Sequence, residues 1–312
     1  MPKRLLVLRL SALGDVIHTI PAVVSLRGEH EITWVVEAPY RELVEIVAGV
    51  KTIPVRMKRW MGEPSAMCAA LRQMRHFDAS MDFQGLIKSA ALPWIAGVKT
   101  RYGFDGDAIR ERPALLFTNR KVHVDTTQHV IEQNLALAAI CHPEQSDGPP
   151  GARGVLRFAQ DDNWSEFLSE VPGLGGDIVL LPGAGKPRKL WPVARFRDLA
   201  RRIGPKALAV WGPDERDLAE AIGARVAPPT NLRELAWILR KAEVVIGADT
   251  GPLHLAAALG TKAIGLYGPT DPRRNGPHGQ LDRCVDRFRT TKSMESISVE
   301  EVMTILERVA GE

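Results

Sequence analysis

The sequence predicts an α/β protein of two domains, each built around a parallel β-sheet. Its 312 residues exceed the usual size of one domain, and its 45% hydrophobic and 25% charged content is that of a globular protein. Short runs rich in leucine and β-branched residues alternate with longer segments of helical period, which is typical of βαβ units. These observations exclude a disordered chain, a collagen-like fibre and a small disulfide-stabilised protein.

Nine runs are predicted to be strands, and in chain order they are residues 4–10, 32–37, 52–55, 79–83, 100–104, 177–181, 207–211, 243–247 and 263–267. Glycines 173, 175 and 176 directly precede the sixth run, so we expect an N-terminal domain of residues 1–173 and a C-terminal domain of residues 174–312. Residues 298–309 have the spacing of an amphipathic helix, which we allow to pack back on the N-terminal domain. Such folds bind ligands at the carboxyl ends of their strands, so we expect a cleft there.

The positive charge is concentrated in one part of the chain. The formal net charge is +4, whereas residues 51–121 hold thirteen bases against six acids. This favours an anionic partner at that segment, or else a solvated face with no partner. No nucleic acid is expected, because the basic residues lack interleaved stacking aromatics and any recognised module. No apolar run is long enough to span a membrane, and three scattered cysteines indicate neither disulfides nor a zinc site.

The first strand-to-helix turn carries a carboxylate. Gly14 permits a tight turn, and Asp15 opens the next helix, where the helix dipole favours the ionised form. The Asp15 side chain is therefore either a helix cap or a group that faces the ligand site.

Two turns in the second half have the chemistry of phosphate sites. Residues 182–185 leave backbone amides uncovered beside Lys186, Arg188 and Lys189, although a plain basic surface loop is the alternative. Residues 247–254 combine a strand end, a Gly-Pro helix start and His254. Two such turns suggest that a diphosphate is held from both sides. No GxGxxG follows the first strand and the P-loop pattern is incomplete, which argues against a nicotinamide enzyme or an ATPase of that type.

Asp105-Gly106-Asp107 resembles the DxD motif by which some nucleotide-sugar transferases hold a cation. Nearby arginines would oppose cation binding, so we favour a surface turn and expect no metal.

Five motifs in order resemble the lipopolysaccharide heptosyltransferases, glycosyltransferase family 9. They are SALGDVIHTIPA (11–22), WVVE (34–37), DFQGLIKSA (82–90), DTGPLHLAAA (249–258) and YGPTDP (267–272). RMKRW (56–60) and NRK (119–121) also look like acceptor-side segments of the heptosyltransferase I branch. The resemblance runs from residue 5 to about residue 280.

The resemblance implies a GT-B fold, with two Rossmann-like domains facing across a cleft. It also implies inverting, metal-independent transfer of heptose from ADP-heptose to Kdo of the lipopolysaccharide inner core, with no cofactor. The partners would be the ADP-sugar donor and the anionic Kdo-lipid A acceptor. The protein would be a monomer on the cytoplasmic face of the inner membrane.

The resemblance also implies the roles of individual residues. Asp15 would be the general base, and Lys189 would offset charge on the departing diphosphate. The residues expected to bind the donor are Gly183, Ala184, Gly185, Asp214, Asp249, Thr250, Gly251 and His254. The residues expected to bind the acceptor are Lys58, Arg59, Lys88 and Arg120.

The sequence departs from the family at the phosphate loop. Ala184 and Gly185 stand where a hydroxyl-bearing pair is expected, and Asp214 is preferred over Glu215 for the ribose contact. A different nucleotide sugar, an acceptor like that of heptosyltransferase II, or a non-catalytic nucleotide- or anion-binding protein therefore stay as alternatives.

Overall fold

A computed structural model describes residues 3–60, 62–141 and 167–311. The chain divides into two compact units, Met1–Trp164 and Ser165–Glu312. The sequence places the boundary a few residues later, between Gly173 and Leu174. Gly173, Gly175 and Gly176 all have positive φ, the backbone conformation that favours glycine.

Unit 1 is a parallel six-stranded sheet flanked by helices. Its strands are β1 Lys3–Leu8, β2 His30–Glu37, β3 Val50–Val55, β4 Ala79–Asp82, β5 Thr100–Phe104 and β6 Arg120–Val122. Its α-helices are α1 Leu13–Ser25, α2 Arg41–Glu45, α3 Pro64–Gln73, α4 Ile87–Ile95 and α5 Val130–Ala139, with 3₁₀ turns at Ala38–Tyr40, Met57–Arg59 and Arg112–Leu116. The strand order is β3-β2-β1-β4-β5-β6.

Unit 2 repeats this topology. Its strands are β7 Ile178–Leu181, β8 Ala207–Ala209, β9 Arg225–Val226, β10 Val244–Ala248, β11 Lys262–Tyr267 and β12 Cys284–Asp286. Its α-helices are α6 Val193–Ile203, α7 Arg216–Ala221, α8 Leu232–Lys241, α9 Gly251–Ala258, α10 Pro272–Asn275 and α11 Val299–Ala310, with 3₁₀ turns at Pro187–Lys189, Gly204–Lys206, Leu281–Arg283 and Met294–Ser296. The strand order β9-β8-β7-β10-β11-β12 matches that of unit 1 when each unit is counted from its own first strand.

The parallel pairing follows from the composition of the central strands. β1, β7 and β10 are apolar and largely buried, as expected for strands covered by helices on both faces. Gly247 in β10 sits so close to β7 that a Cβ there would lie 2.8 Å from Leu181 Cβ. Only glycine therefore permits this strand contact.

All nine predicted strands are present, and the two Rossmann-like sheets confirm the predicted fold class. The additional strands β6, β9 and β12 are two or three residues long. The last helix, α11, packs within unit 2 against α6, β10 and β11. Among the described residues, no helix is long and apolar enough to cross a membrane.

Candidate active site

Each sheet reverses its winding between its first and fourth strands. In unit 1 these strands are β1 and β4, and in unit 2 they are β7 and β10. Doubly wound sheets bind ligands beyond the carboxyl ends of the strands at this reversal. The motifs singled out in the sequence follow these four strands, so each unit has a candidate site at its own reversal.

Asp15 lies in the first turn of α1 and is paired with two arginines. Arg9 Nη2 is 2.7 Å from Asp15 Oδ1, and Arg110 donates to both carboxylate oxygens at 2.9 and 3.1 Å. Asp15 also accepts a hydrogen bond from the backbone of Ala12, the N-cap residue of α1. The carboxylate is therefore partly a cap and at the same time an ion-pair partner, with its side chain 23% exposed.

The two arginines set the charge state of this carboxylate. Burial alone would raise the pKa of Asp15, but the positive charges of Arg9 and Arg110 outweigh burial and hold that pKa below its ordinary value. Burial lowers the pKa of Arg9 to about 10, which still leaves the guanidinium charged at neutral pH. Asp15 is consequently ionised over the whole physiological range.

Strand β2 and the turn after β4 fix the backbone that carries Arg9. Trp34 Nε1 donates to the Arg9 carbonyl at 3.0 Å, and the Glu37 amide donates to the Leu10 carbonyl at 3.0 Å. From the other side, the Leu10 amide donates to Gln84 Oε1 at 2.7 Å, and Arg9 Nη1 donates to the Phe83 carbonyl. The WVVE and DFQG motifs therefore position the Arg9–Asp15 pair.

Asp82, at the end of β4, is a second buried carboxyl group beside this network. Its Oδ1 accepts from the amides of Gln84 and Gly85 at 2.9 and 3.3 Å, and its Oδ2 accepts from Ser89 Oγ at 3.0 Å. Burial nevertheless raises the pKa of Asp82 to about 6. Asp82 thus organises the turn after β4, at a cost in solvation when it is ionised.

A cavity of about 660 Å³ opens in unit 1, and four of its ten lining residues are cations. Its lining residues are Ser11, Glu37, Ala38, Pro39, Tyr40, Arg56, Met57, Lys58, Arg59 and Lys88. Burial raises the pKa of the Glu37 carboxyl, while the Met57 amide, Lys88 and Lys58 act to lower it. The predicted acceptor residues Lys58, Arg59 and Lys88 are brought together here. Such a surface suits a ligand with several negative charges.

Arg120 is not among the residues that line this cavity. It is exposed on β6, where it is paired in register with Tyr102. The structure therefore separates Arg120 from the other three predicted acceptor residues at the cavity.

The DxD-like turn is closed by its own hydrogen bonds. Asp105 Oδ1 accepts from the amides of Asp107 and Ala108, and Asp105 Oδ2 lies 2.7 Å from His123 Nδ1. Ligand atoms of Asp105, Asp107 and His123 lie within 4.8 Å of one another. The bonding is that of an Asx-type turn, as expected for a surface loop.

In unit 2, Asp249 is the centre of a buried polar cluster. It follows β10, and its Oδ2 accepts from Lys189 Nζ at 2.5 Å. Its Oδ1 is 3.0 Å from His254 Nε2 and accepts from Asn275 Nδ2 at 2.8 Å. Burial opposes ionisation, but His254 and Lys189 hold the pKa of Asp249 far below its usual range. Asp249 is thus a fixed anion that orients a lysine and a histidine.

The turn after β7 presents backbone rather than side chains. A Cβ on Gly183 would lie 2.0 Å from the Glu215 carboxyl group, so Glu215 rests directly on this glycine. Glu215 Oε2 also accepts from the Gly212 amide at 3.0 Å, whereas Asp214 is exposed with a φ of 64°. Ala184 packs against the core of unit 2. Glu215, rather than Asp214, therefore borders the predicted phosphate loop.

The N-terminus of α9 has hydrogen-bond donors that no side chain of the described residues caps. Thr250 is its N-cap residue but makes no capping bond, and Thr250 Oγ1 is buried without a hydrogen-bond partner among the described residues. The free amides of the first turn and the helix dipole favour an anion at this end. A phosphate group would satisfy both the hydroxyl and the amides.

The sequence did not predict roles for Arg9, Arg110, Glu37 and Asn275, and it named Glu215 only as the less favoured alternative to Asp214. The role of Arg9 could have been suspected from the sequence, because it is a lone charge directly after an apolar strand. Glu37 lay within a quoted motif. No such signal marks Arg110 and Asn275, because their partners are 95 and 26 residues away.

Two Rossmann-like units, one with an ionised carboxylate and a cavity lined by four cationic side chains, the other with free amide donors at a helix N-terminus, have the features of a glycosyltransferase of the GT-B class. Comparison with known proteins agrees. The sequence model of the family described as "Glycosyltransferase family 9 (heptosyltransferase)" matches residues 66–303 of this chain. The chain belongs to this family.

Relatives and solved structures of the family resemble most of the chain. Lipopolysaccharide heptosyltransferase 1 of Escherichia coli K12 is 32% identical over 300 residues, covering 89% of this chain and 91% of the relative. The Pseudomonas aeruginosa protein of the same name is 32% identical over 299 residues, covering 89% and 82%. The structure of E. coli heptosyltransferase WaaC with ADP superposes with a TM-score of 0.83 at 28% identity, covering 98% of this chain and 99% of that chain. The structure with ADP-2-deoxy-2-fluoro heptose has a TM-score of 0.81 at the same identity and coverage.

The raised pKa of Asp82 predicts how stability depends on pH. Because the folded pKa of about 6 exceeds the ordinary aspartate value of 3.8, the folded state binds more protons between about pH 4 and 6, and wild-type stability falls as the pH rises through that window. The side chain at this position in the variant Asp82→Asn does not titrate. As the pH rises through this window, the free energy of unfolding of the variant should therefore increase by about 3 kcal/mol relative to that of the wild type. Urea unfolding of both proteins from pH 4 to 7 measures the difference. A difference that stays constant with pH would contradict the assignment.

Proposed function

We propose that this protein transfers heptose from ADP-heptose to a Kdo sugar of the lipopolysaccharide inner core, with inversion at the anomeric carbon. The observation that carries the proposal is the Asp15 carboxylate, held ionised by Arg9 and Arg110 at the winding reversal of unit 1. The family and the names of the relatives support heptose as the sugar and lipopolysaccharide as the acceptor.

Unit 2 is assigned the ADP-sugar donor. The amides around Gly183 and Gly185, the unpaired Thr250 hydroxyl and the first turn of α9 offer neutral donors to a diphosphate. Lys189 adds a positive charge that stays in place because Asp249 binds its ammonium group. The structures of a related protein with ADP and with a fluorinated ADP-heptose support an ADP-sugar as the donor. Glu215, next to Gly183, is assigned the ribose hydroxyls in place of Asp214.

Unit 1 is assigned the acceptor. The cavity lined by Arg56, Lys58, Arg59 and Lys88 suits the carboxylates of Kdo and the phosphates of lipid A. Ser11, which precedes α1 and its Asp15, also lines that cavity. Arg120, on β6, is assigned a contact with a more distant part of the acceptor.

In the proposed reaction the acceptor hydroxyl oxygen bonds to the anomeric carbon of heptose while the bond to the ADP oxygen breaks on the opposite face. Asp15 accepts the hydroxyl proton. Its low pKa makes it a weak base, so transfer of the proton comes late, after the attacking oxygen has gained positive charge and acidity. Lys189 and the amide donors stabilise the negative charge on the departing diphosphate.

The proposal involves no metal and no cofactor. Lys189, the glycine amides and the N-terminus of α9 supply the charge stabilisation that a divalent cation supplies in metal-dependent transferases. The Asp105–Asp107 turn belongs to unit 1, and Asp105 already binds its own backbone and His123. We assign that turn a structural role.

We further propose that the enzyme works as a monomer at the inner face of the membrane that contains its acceptor. A lipid-linked acceptor requires the enzyme to meet the bilayer, and the excess of positive charge in residues 51–121 favours an anionic surface.

The direct test is a transfer assay with purified protein. ADP-heptose, ADP-mannose and UDP-glucose are offered with Kdo-lipid A or with a heptosylated core as acceptor, in the presence and absence of excess chelator. We expect transfer from ADP-heptose to Kdo-lipid A, with the product in the inverted configuration by NMR and the rate unchanged by the chelator. Preference for the heptosylated core would reassign the acceptor. Release of ADP without transfer would exclude the proposed activity. Loss of activity with chelator would indicate that Asp105 and Asp107 bind a metal ion after all.

Gly183 provides a graded test of the donor site. In Gly183→Ala the new Cβ displaces the flexible Glu215 carboxyl group, so the fold should persist while ADP affinity falls about tenfold, or roughly 1.4 kcal/mol. In Gly185→Ala the Cβ meets no atom within 4 Å, and ADP affinity should fall no more than about twofold. Calorimetry with ADP and thermal melts of both variants measure these effects. Equal ADP affinity in the two variants would remove Glu215 from the donor site.

A further inference from the structure

The solvent-facing side of α4 is unusually apolar. Ile87, Trp94 and Ile95 are 40%, 53% and 55% exposed, and with the half-buried Ala91 they follow the spacing of one helix face. The opposite side of α4 is also apolar and packs into unit 1. A surface helix normally carries polar residues on its outer side, so the exposed side of α4 needs another explanation.

A second exposed segment extends this surface. Leu116, at the end of the 3₁₀ turn Arg112–Leu116, is 80% exposed. The next residue, Phe117, stacks edge-on against Trp94 with ring centroids 5.5 Å apart, so the two segments are in contact. We call Ile87, Trp94, Ile95 and Leu116 the apolar patch. Four of the seven large exposed hydrophobic side chains among the described residues belong to it, and such clustering on a monomer marks an interaction surface.

Cations border the apolar patch. Arg101 donates to the carbonyls of Phe117 and Val98, both at 2.6 Å, which places its guanidinium beside the ring partner of Trp94. Lys99 follows α4 closely, Lys88 lies on α4 itself, and both are exposed. Acidic residues also lie nearby: the Glu111 carboxylate accepts from the Ile87 amide at the N-terminus of α4, and Asp78 lines the same pocket as Lys99.

Two features of this surface decide the kind of partner. An exposed tryptophan with aliphatic neighbours and a border of lysine and arginine is complementary to an anionic bilayer, where the rings enter the headgroup region and the cations meet phosphates. A protein interface can have the same charge-depleted apolar centre, so the border of lysine and arginine is the feature that favours an anionic bilayer. Lys88 also lines the cationic cavity, so one of the cations that border the apolar patch belongs to the cavity as well.

We propose that the apolar patch and its bordering cations dock unit 1 onto an anionic lipid bilayer. Docking through this face, which rests on the proposed function, places the cavity beside the surface from which a lipid-anchored acceptor projects. Trp94, Ile95 and Leu116 supply the apolar insertion, and Lys88, Lys99 and Arg101 supply the attraction to lipid phosphates.

Vesicle sedimentation tests the docking surface without any substrate. The probes are phosphatidylcholine vesicles with and without about 30% phosphatidylglycerol. The wild type should bind the anionic vesicles at least about tenfold more tightly than the neutral ones. Trp94→Gln/Leu116→Gln and Leu116→Gln alone, with thermal melts to verify folding, should lose most of this binding. Ile140→Gln is the matched control, since Ile140 is 50% exposed but lies at the end of α5, and it should bind like the wild type.

Undiminished vesicle binding by both patch variants would overturn the proposal, as would a wild type that ignores anionic vesicles. A wild-type dimer that the patch variants convert to monomers would assign the surface to a second copy of the chain and would overturn it equally.

Transfer assays separate this proposal from the proposed function. With a water-soluble, deacylated Kdo acceptor, the patch variants should match the wild-type kcat/KM. With the acceptor embedded in anionic vesicles, they should lose about tenfold in kcat/KM. Equal loss on both acceptors would overturn the docking role. Absence of transfer to the soluble acceptor by the wild type would instead refute the proposed function, while vesicle binding would still decide the docking surface.

Discussion

The ion pairs of Asp15 with Arg9 and Arg110 are the interaction on which the site of unit 1 depends. A carboxylate near the interior of a protein tends to take up a proton, and two guanidiniums reverse that tendency here. Arg9 is itself 1% exposed, so its charge is tolerable only with Asp15 and the backbone carbonyl of Phe83 as partners. The motifs around Trp34 and Gln84 serve this pair by holding the backbone on either side of Arg9.

Unit 2 uses the same topology for a different purpose. In unit 2 the carboxylate is Asp249, and its described hydrogen bonds all go to the side chains of Lys189, His254 and Asn275, which it orients. Asp249 is 5% exposed at its side chain, whereas Asp15 is 23% exposed. One carboxylate thus works by positioning cations, and the other keeps access to a ligand. In both units the groups proposed to face a ligand follow the strands at which the sheet reverses.

The sequence was sufficient for the elements and motifs that depend on local patterns. Long apolar strands and glycine turns can be recognised from a few consecutive residues. In contrast, β6, β9 and β12 are too short to show the alternation of side chains that identifies a strand. Contacts between residues that are distant in sequence could not be predicted in this way. No local pattern indicates that Arg110 pairs with Asp15 or that Glu215 lies against Gly183. The separation of Arg120 from the cavity is likewise set by the fold. The exposed side of α4 was equally invisible, because an apolar helix by itself predicts burial.

The central claim is that Asp15 removes the proton from the acceptor. Asparagine in its place keeps the size and a carbonyl oxygen for the arginines but cannot take up a proton at neutral pH. The decisive measurement is kcat of Asp15→Asn for transfer from ADP-heptose to the Kdo acceptor, with the Kd of ADP and a thermal melt of the same protein. We expect kcat to fall by about 10² to 10⁴ while the Kd of ADP stays within about twofold. A folded Asp15→Asn protein with a near wild-type kcat would contradict the account.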